Sequence, residues 1–344
     1  MFTGEISQKL NNLYVRANEF FVNLKENDRI KRLQKYTKSS YWKKAGWSFT
    51  RAILLLGLLF VLIYPLLFVI VTSIKSLDDM YNSTVVWIPR QPTLENYKLV
   101  WKYMNYPQSI RNTVFLSLIT TVLQIASCGI IGYGFARFKF KERNFIFGLV
   151  VFTMILAPQV LIVPNFMLFK NFDLFGLISV FKPGGINLLD SFWPFILPSM
   201  FGMGLKGGLF IYIFRQFFRG MPKELEDAAY IDGCGPLQTF IRIMLPNAIP
   251  AIVTVFLFSF VWHWNDVFEP KVYLTSPNLY TLAMKLTEID LHAMGSRDSL
   301  LKDPIKVLPP RYAGVMYVVS PMLLLYAIGQ KYFVSSVERT GIVG

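Results

Sequence analysis

Apolar side chains in this chain gather into long runs almost free of charge, at 52–74, 112–136, 144–169, 193–218, 249–268 and 312–330. Coiled as helix at about 1.5 Å per residue, each run can cross the roughly 30 Å hydrocarbon core of a bilayer. The pattern predicts an all-α, polytopic membrane protein with about six transmembrane helices. Upstream, Ile6, Leu10, Leu13, Tyr14, Ala17, Phe20, Phe21 and Leu24 recur at helical spacing, while Lys9, Arg16 and Lys25 fall on other faces. That predicts an amphipathic helix lying on the membrane surface. The basic stretch is too long for a cleavable signal and no small-residue cleavage site follows the apolar run, so the first span reads as a signal anchor.

Breaks in the pattern carry further information. Pro158 and Pro164 interrupt the third run, where each removes a backbone donor, so a kinked or broken helix facing the bundle or an aqueous cavity is expected there. A tolerated kink with no ligand role is the alternative. The polar segment 219–248 separates the fourth and fifth runs. Pro222 suits a first helical turn, and Glu224, Glu226 and Asp227 place negative charge where the helix dipole favours it. Gly233-Cys234-Gly235-Pro236 then stops that helix and starts another, giving helix, tight turn, helix. Leu225, Ala228, Ala229 and Asp232 are expected to share one face, small at its centre. Such a face is either a docking knob for a protein or the apolar side of a loop helix resting on lipid.

Composition agrees with the membrane reading, at 53% hydrophobic residues, and the net charge of +14 raises the question of nucleic acid. The distribution answers it. Lysines and arginines crowd the stretch before the first run and the short loop holding Arg137, Lys139, Lys141 and Arg143, as the positive-inside rule requires. No nucleic-acid partner is expected. Six crossings then place both termini and segment 219–248 in the cytoplasm. The chain divides into a basic N-terminal extension, 1–50, a transmembrane domain, 51–331, that contains the polar loop 219–248, and a cytoplasmic tail, 332–344. Cys128 falls in a span and Cys234 in the polar segment, so no disulfide is implied, and His263 and His292 stand apart, giving no metal site.

Three local patterns bear on chemistry. Gly202-Met203-Gly204-Leu205-Lys206-Gly207 matches the dinucleotide fingerprint by letter but lies inside an apolar run, where close approach of helices explains the glycines better. Lys206 is a charge within a span, hence a candidate for the substrate path, or else a side chain reaching out to the interface. Trp264, Asn265 and Asp266 close the fifth run, offering an indole and polar groups suited to a sugar, or alternatively an interfacial aromatic belt. No G-x-x-x-x-G-K-[ST] occurs, so ATP hydrolysis by this chain is not expected, and no catalytic constellation stands out.

The pattern Asp227-Ala228-Ala229-x3-Gly233-x9-Ile243-x-Leu245-Pro246 resembles the loop of permease subunits of binding-protein-dependent ABC importers, with Asp227 where the family usually has glutamate. Pro92-Thr93-Leu94-Glu95-Asn96-Tyr97, Asn112-Thr113 and Ala136-Arg137-Phe138-Lys139-Phe140 extend the similarity toward the sugar and oligosaccharide branch, near the second permease of maltose-type importers. The resemblance implies a coupling role for Glu224, Asp227, Ala228, Ala229, Gly233, Ile243, Leu245 and Pro246. It also implies a bacterial-type inner-membrane location, a second permease, two cytoplasmic ATPase subunits and an extracytoplasmic solute-binding protein. No cofactor is expected on this chain, ATP and magnesium being held by the partner. Rival readings are an importer of the same architecture for a non-sugar solute such as a glycerophosphate-like compound, a stand-alone secondary transporter, and a membrane enzyme.

Overall fold

The computed structural model describes residues 13–20, 22, 39–174, 176–180, 182–292 and 304–341. By its contacts the chain divides into two units, Met1–Phe68 and Val69–Gly344. The first holds a helical stretch at 13–20 and most of helix α1, Ser39–Ser73. The remainder of the expected amphipathic helix lies outside the described residues.

The second unit is all-α. Its main helices are α2 (Glu95–Tyr103), α3 (Tyr106–Arg137), α4 (Arg143–Ile155), α5 (Pro158–Lys170), α6 (Trp193–Met200) and α7 (Gly207–Gly220). There follow α8 (Glu224–Ile231), α9 (Pro236–Asn247), α10 (Ile249–Asn265), α11 (Phe268–Tyr273), α12 (Leu282–His292) and α13 (Leu308–Gly341). The last helix continues into the expected tail as far as Gly341.

Helix α3 is the axle, with α6, α7 and α10 packed along it. It is built inside out. Phe115, Leu118, Val122 and Ile130 are exposed, while Ser117, Thr120, Thr121 and Gln124 are fully buried. Lipid rewards that arrangement, because buried polar groups find partners and the apolar face meets hydrocarbon. At Gly132 a Cβ would stand 2.6 Å from the Phe214 Cβ and 3.0 Å from the Arg215 nitrogen, so α3 and α7 touch almost backbone to backbone.

Among the described residues three continuous helices are long and apolar enough to cross a membrane: α1, α3 and the stretch Ile305–Gln330. Two bent pairs bring the number to five, α4 with α5 at 103° and α9 with α10 at 77°. The third expected span is thus broken, not merely kinked. Pro158 opens α5 and forces Ala157 into extended geometry, φ −70° and ψ 133°, whereas Pro164 is absorbed within α5. The fourth expected span, 193–218, is divided as well. Residues 201–206 interrupt it, with Gly202 at φ 72° and Lys206 at φ 60°, and neither α6 nor α7 is long enough to cross alone.

Away from the bundle, Asp190 ties two loops together. Its backbone is left-handed, φ 56°, and its carboxylate accepts from the amides of Thr275 (2.9 Å) and Ser276 (2.8 Å) and from the Ser276 hydroxyl. These donors lower its pKa to about 2.

Candidate functional site

Helix α8 starts as the sequence implies, with Glu224, Glu226 and Asp227 in its first turn. It ends at Gly233, φ 81°, where the Cys234 amide donates to the Ala229 carbonyl (2.9 Å) and the Gly233 amide to that of Tyr230 (3.1 Å). This pair of bonds is the glycine-dependent helix stop in which a left-handed residue turns the chain back over its own last carbonyls. Pro236 opens the next helix and Gln238 accepts from the Gly235 amide (3.3 Å). Phe240–Met244 then forms a π-helical turn just ahead of Pro246. A proline cannot donate to the residue four back, so a wider turn at this point loses no bond.

The faces of α8 differ from the sequence expectation. Ala229 is 1% exposed and Glu226 8%, so both point inward, and Ala229 does not share an outward face with Ala228. Glu224, Asp227, Ala228 and Gly233 are exposed, joined by Ile231 at 86%. Of the later members of the pattern, Pro246 is exposed and Ile243 and Leu245 are half-buried.

What holds α8 down is Glu226. Its carboxylate accepts from the Tyr133 hydroxyl (2.8 Å) and lies 3.4 Å from Arg137 Nε, a charge contact between side chains that are only 10% and 7% exposed. Arg137 also donates to the Met221 carbonyl (2.8 Å). Both partners belong to the last turns of α3, so the polar loop is fastened to the axle of the bundle.

The candidates for the substrate path separate. Trp264 is 2% exposed and donates from Nε1 to the Val318 carbonyl (3.1 Å), fixing α10 to α13 within a cluster that includes Val100, Phe260 and Leu282. It does not line an open face. Asn265 is exposed and donates to the Val261 carbonyl (2.9 Å). Asp266 lies just ahead of α11 and its carboxylate accepts from the Phe268 amide (2.9 Å). Lys206 is exposed in the break between α6 and α7, its Nζ 5.7 Å from the centre of the Trp262 ring. Pro158 and Pro164 lie on α5, which packs on α11. Lys206 therefore meets Trp262, not Trp264.

With this geometry in hand, comparison with known proteins is decisive for the family. The family model described as binding-protein-dependent transport system inner membrane component matches residues 128–339. The chain belongs to that family. Similar curated permeases include the arabinooligosaccharides transport system permease protein AraQ of Halalkalibacterium halodurans, 27% identical over 288 residues, 83% of this chain and 92% of the relative. The polygalacturonan/rhamnogalacturonan transport system permease protein YtcP of Bacillus subtilis is 27% identical over 277 residues, 79% of this chain and 90% of that one. In fold the permease is similar to a chain in the crystal structure of a bacterial ABC transporter involved in the import of the acidic polysaccharide alginate. The TM-score is 0.67 at 21% identity, covering 85% of this chain and 98% of that one.

This permease also has a midspan polar knot that sequence reasoning passed over. Gln124 Nε2 donates to the Leu205 carbonyl in the break (2.9 Å), and its Oε1 accepts from the Ser259 hydroxyl (2.6 Å), with His263 Nε2 at 3.3 Å. Ser259 in turn contacts Thr121 (3.0 Å), and Ser127 donates to the Ser199 carbonyl (2.7 Å). A carbonyl freed by a broken helix needs such partners in an apolar medium. The glycines of the false dinucleotide motif serve the same break: a Cβ on Gly204 would meet Gln124 Nε2 at 2.6 Å, and one on Gly207 would meet the Gly202 carbonyl oxygen at 2.2 Å. A glutamine in the middle of an apolar run was the available signal for Gln124. Nothing local marked Tyr133, Arg137 and Glu226 as partners.

Proposed function

We propose that this chain is one permease subunit of an importer that carries a sugar or oligosaccharide across the inner membrane by alternating access. The observation that carries the reading is α8. It is a short helix with Ala228, Asp227 and Ile231 turned outward, and it is fastened to α3 by a buried ion pair. An exposed isoleucine beside a small residue and a carboxylate suits a protein groove better than water. That groove belongs to a cytoplasmic ATPase, one of two in the complex, which supplies the ATP, magnesium and hydrolysis. A second, related permease completes the path, and an extracytoplasmic binding protein delivers the solute. Both termini and α8 face the cytoplasm, consistent with the basic residues before α1 and after α3. The carbohydrate assignment is supported by relatives named for arabinooligosaccharide and polygalacturonan transport.

The test is affinity purification of the tagged chain from its native membrane in mild detergent, with identification of all companions. A P-loop ATPase and a second permease are expected. Recovery of the chain alone, moving solute in liposomes without ATP, would overturn the reading in favour of a secondary transporter.

A further inference from the structure

Lys206 occupies a place that chemistry disfavours twice. Its backbone lies in the left-handed region, φ 60°, which costs a side-chain-bearing residue about 1 kcal/mol or more relative to glycine. Glycine stands at 202, 204 and 207 on either side of it, so this break readily accommodates glycine, yet the position holds a lysine. It also lies one full length of α7 away from the docking loop, about 20 Å for a helix of 14 residues. A cation between two helices of an apolar run needs a counter-charge, a wet cavity or a route to the interface. Among the described residues no carboxylate pairs with Lys206. Strain together with an uncompensated charge points from the outlier to a role.

The surroundings of the ammonium group define what that role can be. On α10 the residues Phe258, Val261, Trp262 and Asn265 follow at the spacing of one helical face, and that face is open: Phe258 is 48% exposed, Val261 36%, Trp262 half-buried and Asn265 exposed. The opposite face, with Val255, Ser259, Phe260, His263 and Trp264, is buried. Trp262 is packed between Phe258 (5.6 Å) and Phe210 (5.8 Å), which fixes its ring, and Lys206 Nζ stands over that ring. A fixed indole holds an ammonium by its negative face without neutralising it. The charge is thus aimed and still available.

We infer that Lys206, positioned by Trp262 beside the open face of α10, is an anion-recognising subsite on the solute path, and that the solute is a saccharide bearing carboxylates. The exposed Phe258 ring supplies a flat apolar surface for the sugar and Asn265 a carboxamide for hydroxyls, while Lys206 pairs with the carboxylate. This inference rests on the importer reading and adds the charge class of the cargo.

The test uses the complete transporter with its binding protein in proteoliposomes. Probes are galacturonate oligosaccharides of two to four units and the matching neutral galactose oligosaccharides. ATP-dependent uptake of the acidic series is expected, with Lys206→Gln lowering the acidic-to-neutral uptake ratio tenfold or more through KM, and Lys206→Arg restoring most of it. Trp262→Leu should raise KM for the acidic series several-fold. Transport of neutral sugars alone, or an unchanged ratio in Lys206→Gln, would overturn the subsite and leave the importer intact. Loss of co-purifying anionic lipid in Lys206→Gln, with uptake unaltered, would overturn it in favour of a lipid anchor. Absence of any ATP-dependent uptake, together with failure to recover an ATPase, would overturn the importer reading itself.

Discussion

Glu226 is the residue on which the loop geometry turns. In sequence it is one of several acids in a first helical turn, indistinguishable from Glu224, yet one is buried on Tyr133 and Arg137 and the other is exposed. Removing one member of a buried ion pair strands the other, at a cost of about 3–5 kcal/mol, whereas an exposed carboxylate is worth under about 1 kcal/mol. Glu226→Gln should therefore speed amide exchange across residues 224–233 and depress uptake in the assembled transporter, and Glu224→Gln should do neither. Hydrogen exchange by mass spectrometry on the purified complex checks both. The sequence made Gly233 legible because a helix stop needs a left-handed residue. It could not make Glu226 legible, because its partners are far away in the chain, on α3.

At the scale of elements, the runs of apolar residues located the helices well but not their continuity. Pro158 signalled the break between α4 and α5 through its effect on Ala157. The break between α6 and α7 was harder to read, because its glycines sit inside an apolar run, and the group that makes it tolerable, Gln124, lies on another helix. On α10 the sequence singled out Trp264, and the structure buries that ring while leaving Trp262, two residues earlier, half-buried. Trp264→Phe should lower the melting temperature of the complex, since it leaves the Val318 carbonyl without its donor at about 1–3 kcal/mol. It should leave solute selectivity unchanged, which a competition uptake assay would register.

Asp190 gives the connecting loops a pH dependence. Its folded pKa lies below that of a free aspartate, so the stability it lends is complete above about pH 4 and vanishes as the pH falls through about 2. Asp190→Asn keeps a side chain that tolerates the left-handed backbone but removes the charge. At neutral pH it should accelerate exchange of the Thr275 and Ser276 amides, and leave residues 224–233 as they are.

For the whole molecule, fold class was legible from composition and periodicity alone, because only closed hydrogen bonding and an apolar exterior satisfy a bilayer. The basic segments suggest the orientation, and α3 reveals the solvent: a helix with threonine, serine and glutamine inside and phenylalanine, leucine and valine outside is built for lipid. What lay beyond the sequence was the assignment of exposed faces, which decides where partners and solute can reach.

A photo-crosslink in native membranes tests whether α8 docks into a cytoplasmic ATPase. A photoactivatable residue in place of Ile231, 86% exposed on α8, should capture a P-loop ATPase in native membranes, while the same residue in place of Ile155, 78% exposed at the end of α4, should not. An ATPase adduct from position 231 alone is the predicted result. No ATPase adduct from 231, with the probe intact and the chain inserted, would rule out docking through α8.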